Sequence, residues 1–241
     1  MTRHPLRFAL LLALATPAWA TLTQPPAVAE APPGPPPEGW VHTQINKDTK
    51  ATDFSVVRED GIGVIQARSA AGASSLIHTL AMPVSPNTRL HWRWKVSNAI
   101  PDSSMRAKAT DDYAARVYVF FDYDKARLSL GDRLKIDVAR TVWGADLPTA
   151  ALCYVWGTHD AVGSIGPNPY TDRVRMIVLQ QGNARSGQWV LENRDLAADF
   201  EAAFGEAAPA ITGIALGADT DNTGAHVEAR FADIRFEAPL P

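Results

Sequence analysis

The chain has 241 residues, a formal net charge of −3, and 46% apolar side chains. That apolar share is enough for a sizeable core, and the mild negative charge argues against nucleic acid as a partner, whose binders carry basic surfaces. A single cysteine, Cys153, excludes an internal disulfide, so stability has to come from packing.

Residues 1–20 read MTRHPLRFALLLALATPAWA. Arg3 and Arg7 form a positive start, Phe8 to Ala15 a short apolar run, and Ala18-Trp19-Ala20 a small-residue cleavage pattern. The run is shorter than the ~20 residues a membrane-spanning helix needs. The expectation is a cleaved secretory signal ending at Ala20, which places the protein in the periplasm or outside the cell. Residues 21–39 are dominated by Pro and Ala and read as a disordered or polyproline-like tether. The folded unit is expected as one domain over residues 40–241.

From there the hydrophobic period is two. In RLHWRWKV, Leu90, Trp92, Trp94 and Val96 share one face while Arg89, His91, Arg93 and Lys95 share the other. In DYAARVYVFFD, Tyr113, Ala115, Val117, Val119 and Phe121 alternate with Arg116, Tyr118 and Phe120. Further strands are expected near 53–58, 62–69, 74–81, 133–139, 150–156, 174–181, 187–193, 211–218 and 226–236, with turn clusters between many of them. One stretch differs. DLAADFEAAFG carries Leu196, Phe200 and Phe204 at a spacing of four with Gly205 behind them, which predicts a short helix with Asp195 as its cap. The fold expected is all-β, an antiparallel β-sandwich or jelly roll of about eleven strands with one short helix.

Several polar groups stand out against this pattern. GADTDNTG, residues 217–224, packs Asp219, Asp221, Asn222, Thr223 and Gly224 between two strands. Hard oxygens at this spacing suit calcium, and Asp219 and Asp221 are the candidate metal ligands. An EF-hand is excluded, because its twelfth position would be Arg230 and the flanks are strands. A direct ligand contact and a plain strand-connecting turn are the other readings of the loop. Asp111 and Asp112 lie at the mouth of a strand, with Arg116 four positions beyond Asp112 on its face. They suit sugar hydroxyls through charge-assisted bonds, or an ion pair at a strand end. Adjacent strand residues face opposite ways, so Asp111 and Asp112 do not form a catalytic pair with each other.

Among the aromatic residues, Trp92 and Trp94 read as core. Trp143 and Trp189 lie in or near expected strands, and Tyr154 and Trp156 are the candidates for a ligand-facing rim. Arg194 and Asp199 flank the helix start and are explained by capping and an ion pair. Cys153 sits in an apolar run, with no sign of an activated nucleophile.

HWRWKV, DDYAARVYVFF, LCYVWG, NPYTDRV, ENRDLAADFEAAFG and GADTDNTGAHVEARFADIRF together resemble a bacterial exported family, domain of unknown function 3047, from about residue 40 to 237. The resemblance implies an exported sandwich similar to lectin-like and glucanase-like jelly rolls. It carries a ligand-site expectation onto Asp111, Asp112, Arg116, Tyr154, Trp156, Arg194, Asp199, Asp219, Asp221 and Asn222. The Glu-x-Asp-x-x-Glu run of retaining jelly-roll glucanases is missing, and Glu192 and Glu228 stand alone in expected strands. No Gly-x-Ser-x-Gly elbow, His-Glu-x-x-His pair or phosphate loop occurs. The function expected is binding of a glycan or related polar ligand. A carbohydrate-active hydrolase or lyase and an envelope assembly protein are the alternatives.

Overall fold

The computed structural model describes residues 24–44, 46–124, 126 and 149–237. The signal-like segment 1–20, the strand expected over 133–139 and Trp143 lie outside these residues.

Twelve strands and one α-helix are present among the described residues. In chain order the strands are β1 (Val41–Thr43), β2 (Asp53–Glu59), β3 (Ile62–Ala70), β4 (Ser75–Met82), β5 (Arg89–Val96) and β6 (Tyr113–Phe121). They continue with β7 (Ala150–Gly157), β8 (Ile165–Asn168), β9 (Thr171–Gln181), β10 (Val190–Asp195), β11 (Ile211–Asp219) and β12 (His226–Glu237). Helix α1 (Leu196–Phe204) follows β10, and a 3₁₀ turn covers Lys108–Thr110.

Seven strands form one sheet in the order β1-β4-β11-β6-β7-β9-β8, and five form the other in the order β10-β5-β12-β3-β2. The architecture is an all-β sandwich. All pairings are antiparallel except β7 with β9, which run parallel. Two strands, β1 and β8, were not anticipated. They are short, at three and four residues, and a period of two cannot declare itself over so few positions.

Local chemistry explains the punctuation. Asp60 and Gly61 both take positive φ, 50° and 83°, as a two-residue hairpin between β2 and β3 requires. Asp195 caps α1 by accepting from the Ala198 N–H, and Gly205 ends the helix at φ 75°.

The core lies between the sheets. Trp92 and Trp94 of β5 face Tyr154 and Trp156 of β7, with ring centroids 5.2 Å apart for Trp92–Tyr154 and 5.9 Å for Trp94–Trp156. All four rings are fully buried. Truncating one such ring to Ala costs about 3–5 kcal/mol.

Residues 24–39 do not behave as the expected tether. The Gln24 side chain pairs with Phe236 backbone at 2.8 Å in both directions. The Ala29 carbonyl accepts from Gly63 N–H at 2.7 Å, and Gly34 bridges Val56. Val28 is buried against the core, and a Cβ at Gly63 would collide with the Val28 carbonyl. The segment bends at Val28–Ala31 and Pro37–Trp40, and backbone groups left open on β2, β3 and β12 give it partners.

Candidate functional site

The polar residues of two distant stretches meet where β6 begins and β11 ends. Asp219 is the last residue of β11 and pairs with Tyr113, the first of β6. Arg116 sits on the outer face of the seven-stranded sheet, alternating with Val117, which faces the core. Its Nε donates to Asp219 Oδ1 at 2.7 Å and its Nη2 to Asp219 Oδ2 at 2.5 Å. The same Nη2 donates to the Asp111 carbonyl at 2.6 Å and lies 3.2 Å from Asp111 Oδ1. Tyr113 N–H adds a bond to Asp219 Oδ1 at 3.0 Å.

Asp112 points the other way and holds the β11–β12 turn. Thr223 gives one of its oxygens two bonds of 2.6 Å, from the backbone N–H and from the hydroxyl. The other oxygen accepts from Asn222 N–H at 3.2 Å and Asn222 Nδ2 at 3.1 Å. Asp111 Oδ2 accepts from Asn168 Nδ2 at 2.8 Å, and Tyr170 donates its hydroxyl to Asn222 Oδ1 at 3.1 Å. Asn168 ends β8 and Tyr170 lies in the turn to β9. They join this group only through pairing of β8 onto β9, which no local pattern announces.

Two carboxylates, Asp111 and Asp219, therefore hold one guanidinium, with Asp112 and Asp221 close by on the turn. Burial pushes the Asp219 carboxyl up to about 7, against the pull of the Arg116 fork. Burial alone would lower Arg116, but Asp111 and Asp219 hold it above its ordinary range. The exposed Asp221 is raised by partial desolvation and by the Asp112 charge. Asp112, Asp219 and Asp221 each place one oxygen within 4.8 Å of the others, so the cluster could hold a metal ion. Oxygens bound to one calcium at about 2.4 Å reach such separations.

Beside this cluster lies an open depression of about 650 Å³, lined by Asp102, Ser104, Arg106, Thr110, His159 and Thr223 among others. Asp160, buried beneath it, accepts from Met105 N–H at 2.8 Å and sits 3.3 Å from Arg106 Nε. Arg106, His159 and Thr110 belong to loops whose sequence shows no motif, so only the fold assembles them.

The remaining expected ligand residues lie elsewhere. Tyr154 and Trp156 are not at a rim: both are fully buried against the opposite sheet. Tyr154 donates its hydroxyl to Asp199 Oδ2 at 2.7 Å, and Arg194 forks onto Asp199 at 2.9 and 2.5 Å. Burial and Asp199 raise the Tyr154 hydroxyl far above its ordinary range, so it stays a donor. This triad belongs with α1, whose Phe200 packs on Phe121 at 4.7 Å. Phe121 ends β6, about 27 Å along the strand from Tyr113. Cys153 is buried, with its thiol pushed up to about 12 by desolvation, as an inert core thiol should be.

The fold and this polar cluster define an all-β sandwich with a candidate ligand site at the β6–β11 end. The chain belongs to the family described as Protein of unknown function (DUF3047), which matches residues 38–235. Among solved structures, a family 12 xyloglucanase from Bacillus licheniformis is similar at 9% identity and a TM-score of 0.46, over 90% of this chain and 100% of that one. Endoglucanase 3 of family GH12 from Trichoderma harzianum is similar at 9% identity and a TM-score of 0.43, over 90% and 99%. The K2 adhesin domain of Lys-gingipain is similar at 11% identity and a TM-score of 0.39, over 88% and 96%. A search of the curated proteins found no match.

Proposed function

We propose that this chain is an exported binding module that takes a glycan or related polar ligand, without covalent chemistry, at the β6–β11 end. One observation carries the reading: a polar depression opens directly beside a turn that buried Asp112 holds in place. Pre-organised hydroxyls, an imidazole and a guanidinium at a concave surface are what a polyhydroxylated ligand needs. Asp221 and Asn222 border the same turn and add exposed acceptors and a donor.

Catalysis is the weaker reading of this geometry. Both oxygens of Asp112 accept bonds from the turn, and both oxygens of Asp219 accept from Arg116. The depression itself offers one carboxylate, Asp102. Glycoside hydrolysis uses a pair of carboxyl groups.

Calcium on Asp112, Asp219 and Asp221 would stiffen the turn and neutralise its charge. The signal-like residues 1–20 support the export part of this reading, and N-terminal sequencing of the mature chain should begin at Thr21.

Retention on a glycan array tests the function, with His159→Ala and Asn222→Ala beside the parent. The expected result is retention by the parent and at least a tenfold loss in both variants, with the unfolding temperature unchanged in His159→Ala and lowered in Asn222→Ala by its lost bond to Asp112. Retention of no glycan, or equal retention by parent and variants, would overturn the reading.

A further inference from the structure

A second polar site lies on the other face of the large sheet. Arg173 and Arg175 are two residues apart on β9, so their side chains leave the same face. Ile177 and Leu179 continue that face into the inter-sheet core, whereas Val174, Met176 and Val178 pack on the outer side. The two arginines thus enter the edge of the core, at the C-terminal end of α1.

Their surroundings are aromatic rather than acidic. The Arg173 guanidinium carbon lies 4.3 Å from the Tyr123 ring centroid and 5.4 Å from that of Phe204. The Arg175 guanidinium lies 5.5 Å from the same Phe204 ring. Arg173 Nε donates to the Thr149 carbonyl at 3.0 Å. Arg173 Nη2 and Arg175 Nε are shielded from water and meet no acceptor among the described residues. Among the described residues, neither arginine has a carboxylate partner.

Two like charges against one ring, each with a shielded N–H left unpaired, oppose folding unless something answers them. Other half-buried arginines of this protein are answered: Arg194 by Asp199, and Arg230 by Glu59 and Glu228. Planar guanidinium forks match oxyanions, whose oxygens accept two bonds at once. The rings of Phe204 and Tyr123 hold the forks in place and lower the local dielectric, which strengthens an ionic contact.

We infer that Arg173 and Arg175 form an anion site that takes an oxyanion, such as a carboxylate, phosphate or sulfate group of a small molecule or a polymer. The site stands independently of the polar depression, from which it is separated by the sheet.

The test is thermal unfolding of the full chain with added sodium phosphate, against sodium chloride at matched ionic strength, repeated with sulfate and acetate. Arg173→Gln and Arg175→Gln are measured beside the parent. With an oxyanion near ten times its dissociation constant, the parent should gain about 3 °C over chloride. Both variants should lose that gain. Arg175 makes no hydrogen bond from its side chain to the described residues, so Arg175→Gln tests the site even if Arg173→Gln fails to fold. If no oxyanion exceeds chloride in the parent, the inference fails. It also fails if Arg175→Gln responds as the parent does, since the two arginines would then serve packing alone.

Discussion

Asp112 and Thr223 are 111 positions apart in sequence and share two bonds of 2.6 Å, both ending on one carboxylate oxygen. This contact fixes the β11–β12 turn to the start of β6. Replacing Asp112 with Ala would leave the Thr223 and Asn222 donors without an acceptor. Losing several buried bonds to a charged group should cost about 3 kcal/mol, read as a lower urea midpoint at unchanged slope. Asp112→Asn should cost less but not nothing, because its amide N–H₂ would face donors.

Arg116 and Asp219 make the second test. Asp219→Ala leaves a buried guanidinium with Asp111 as its remaining carboxylate, and should cost about 3–5 kcal/mol. Pairing Arg116→Met with Asp219→Leu removes both charges. That double variant should be more stable than Asp219→Ala, since no charge is left buried and unanswered. Chemical denaturation of the three chains checks the order.

Calcium is tested by thermal unfolding of metal-stripped protein as the ion is added. An ion that binds only the folded chain raises its unfolding temperature with concentration. Asp221 is exposed, and its carboxylate meets the Asn222 side chain at 3.5 Å. Asp221→Ala should therefore abolish the calcium response while leaving the metal-free unfolding temperature within about 1 °C of the parent. No response in the parent would remove calcium from the account.

Glu192 sets a pH dependence. Its Oε1 accepts from Trp94 Nε1 at 3.1 Å and Gln180 Nε2 at 2.7 Å, so it joins the two sheets. Burial raises its carboxyl above the ordinary 4.5, and the two hydrogen bonds only partly oppose that. The folded chain thus holds this proton more tightly than the unfolded chain. Its contribution to stability is fully present below 4.5 and is lost as pH rises through the raised value. Glu192→Gln keeps an acceptor for both donors and removes the charge. It should raise the unfolding temperature at pH 7, change it little at pH 4, and flatten the slope between.

Tyr154→Phe separates structure from binding. It deletes one of three bonds to the buried Asp199 carboxylate and leaves Arg194 in place. Stability should fall by about 1–2 kcal/mol, with glycan retention unchanged. Lost retention at unchanged stability would return Tyr154 to the ligand site.

Much of the architecture was legible in the residues. Alternation in β5 and from Ala115 to Phe121 of β6, the Asp195 cap and the Gly205 stop act over one or two turns of chain; a register shift at the start of β6 turns Tyr113 to the outer face. Local sterics and hydrogen bonding suffice to specify them. The suspicion attached to Asp111, Asp112 and the Asp219–Asn222 loop was also legible, because carboxylates dense at a strand mouth or turn are conspicuous.

What the sequence determined by itself was periodicity: which side chains share a face, and where the chain turns. It could not say which face would be covered. Tyr154 and Trp156 share a face, but only the arrival of β5 from the other sheet made it the core face and not a rim. Residues 24–39 read as a tether because their composition cannot build a core alone. They are held by backbone groups that β2, β3 and β12 leave open. Nothing local to Arg173 and Arg175 announces the Phe204 ring that α1 brings over them. In each case the deciding contact joins elements far apart in sequence, and burial is a property of such contacts, not of the local pattern.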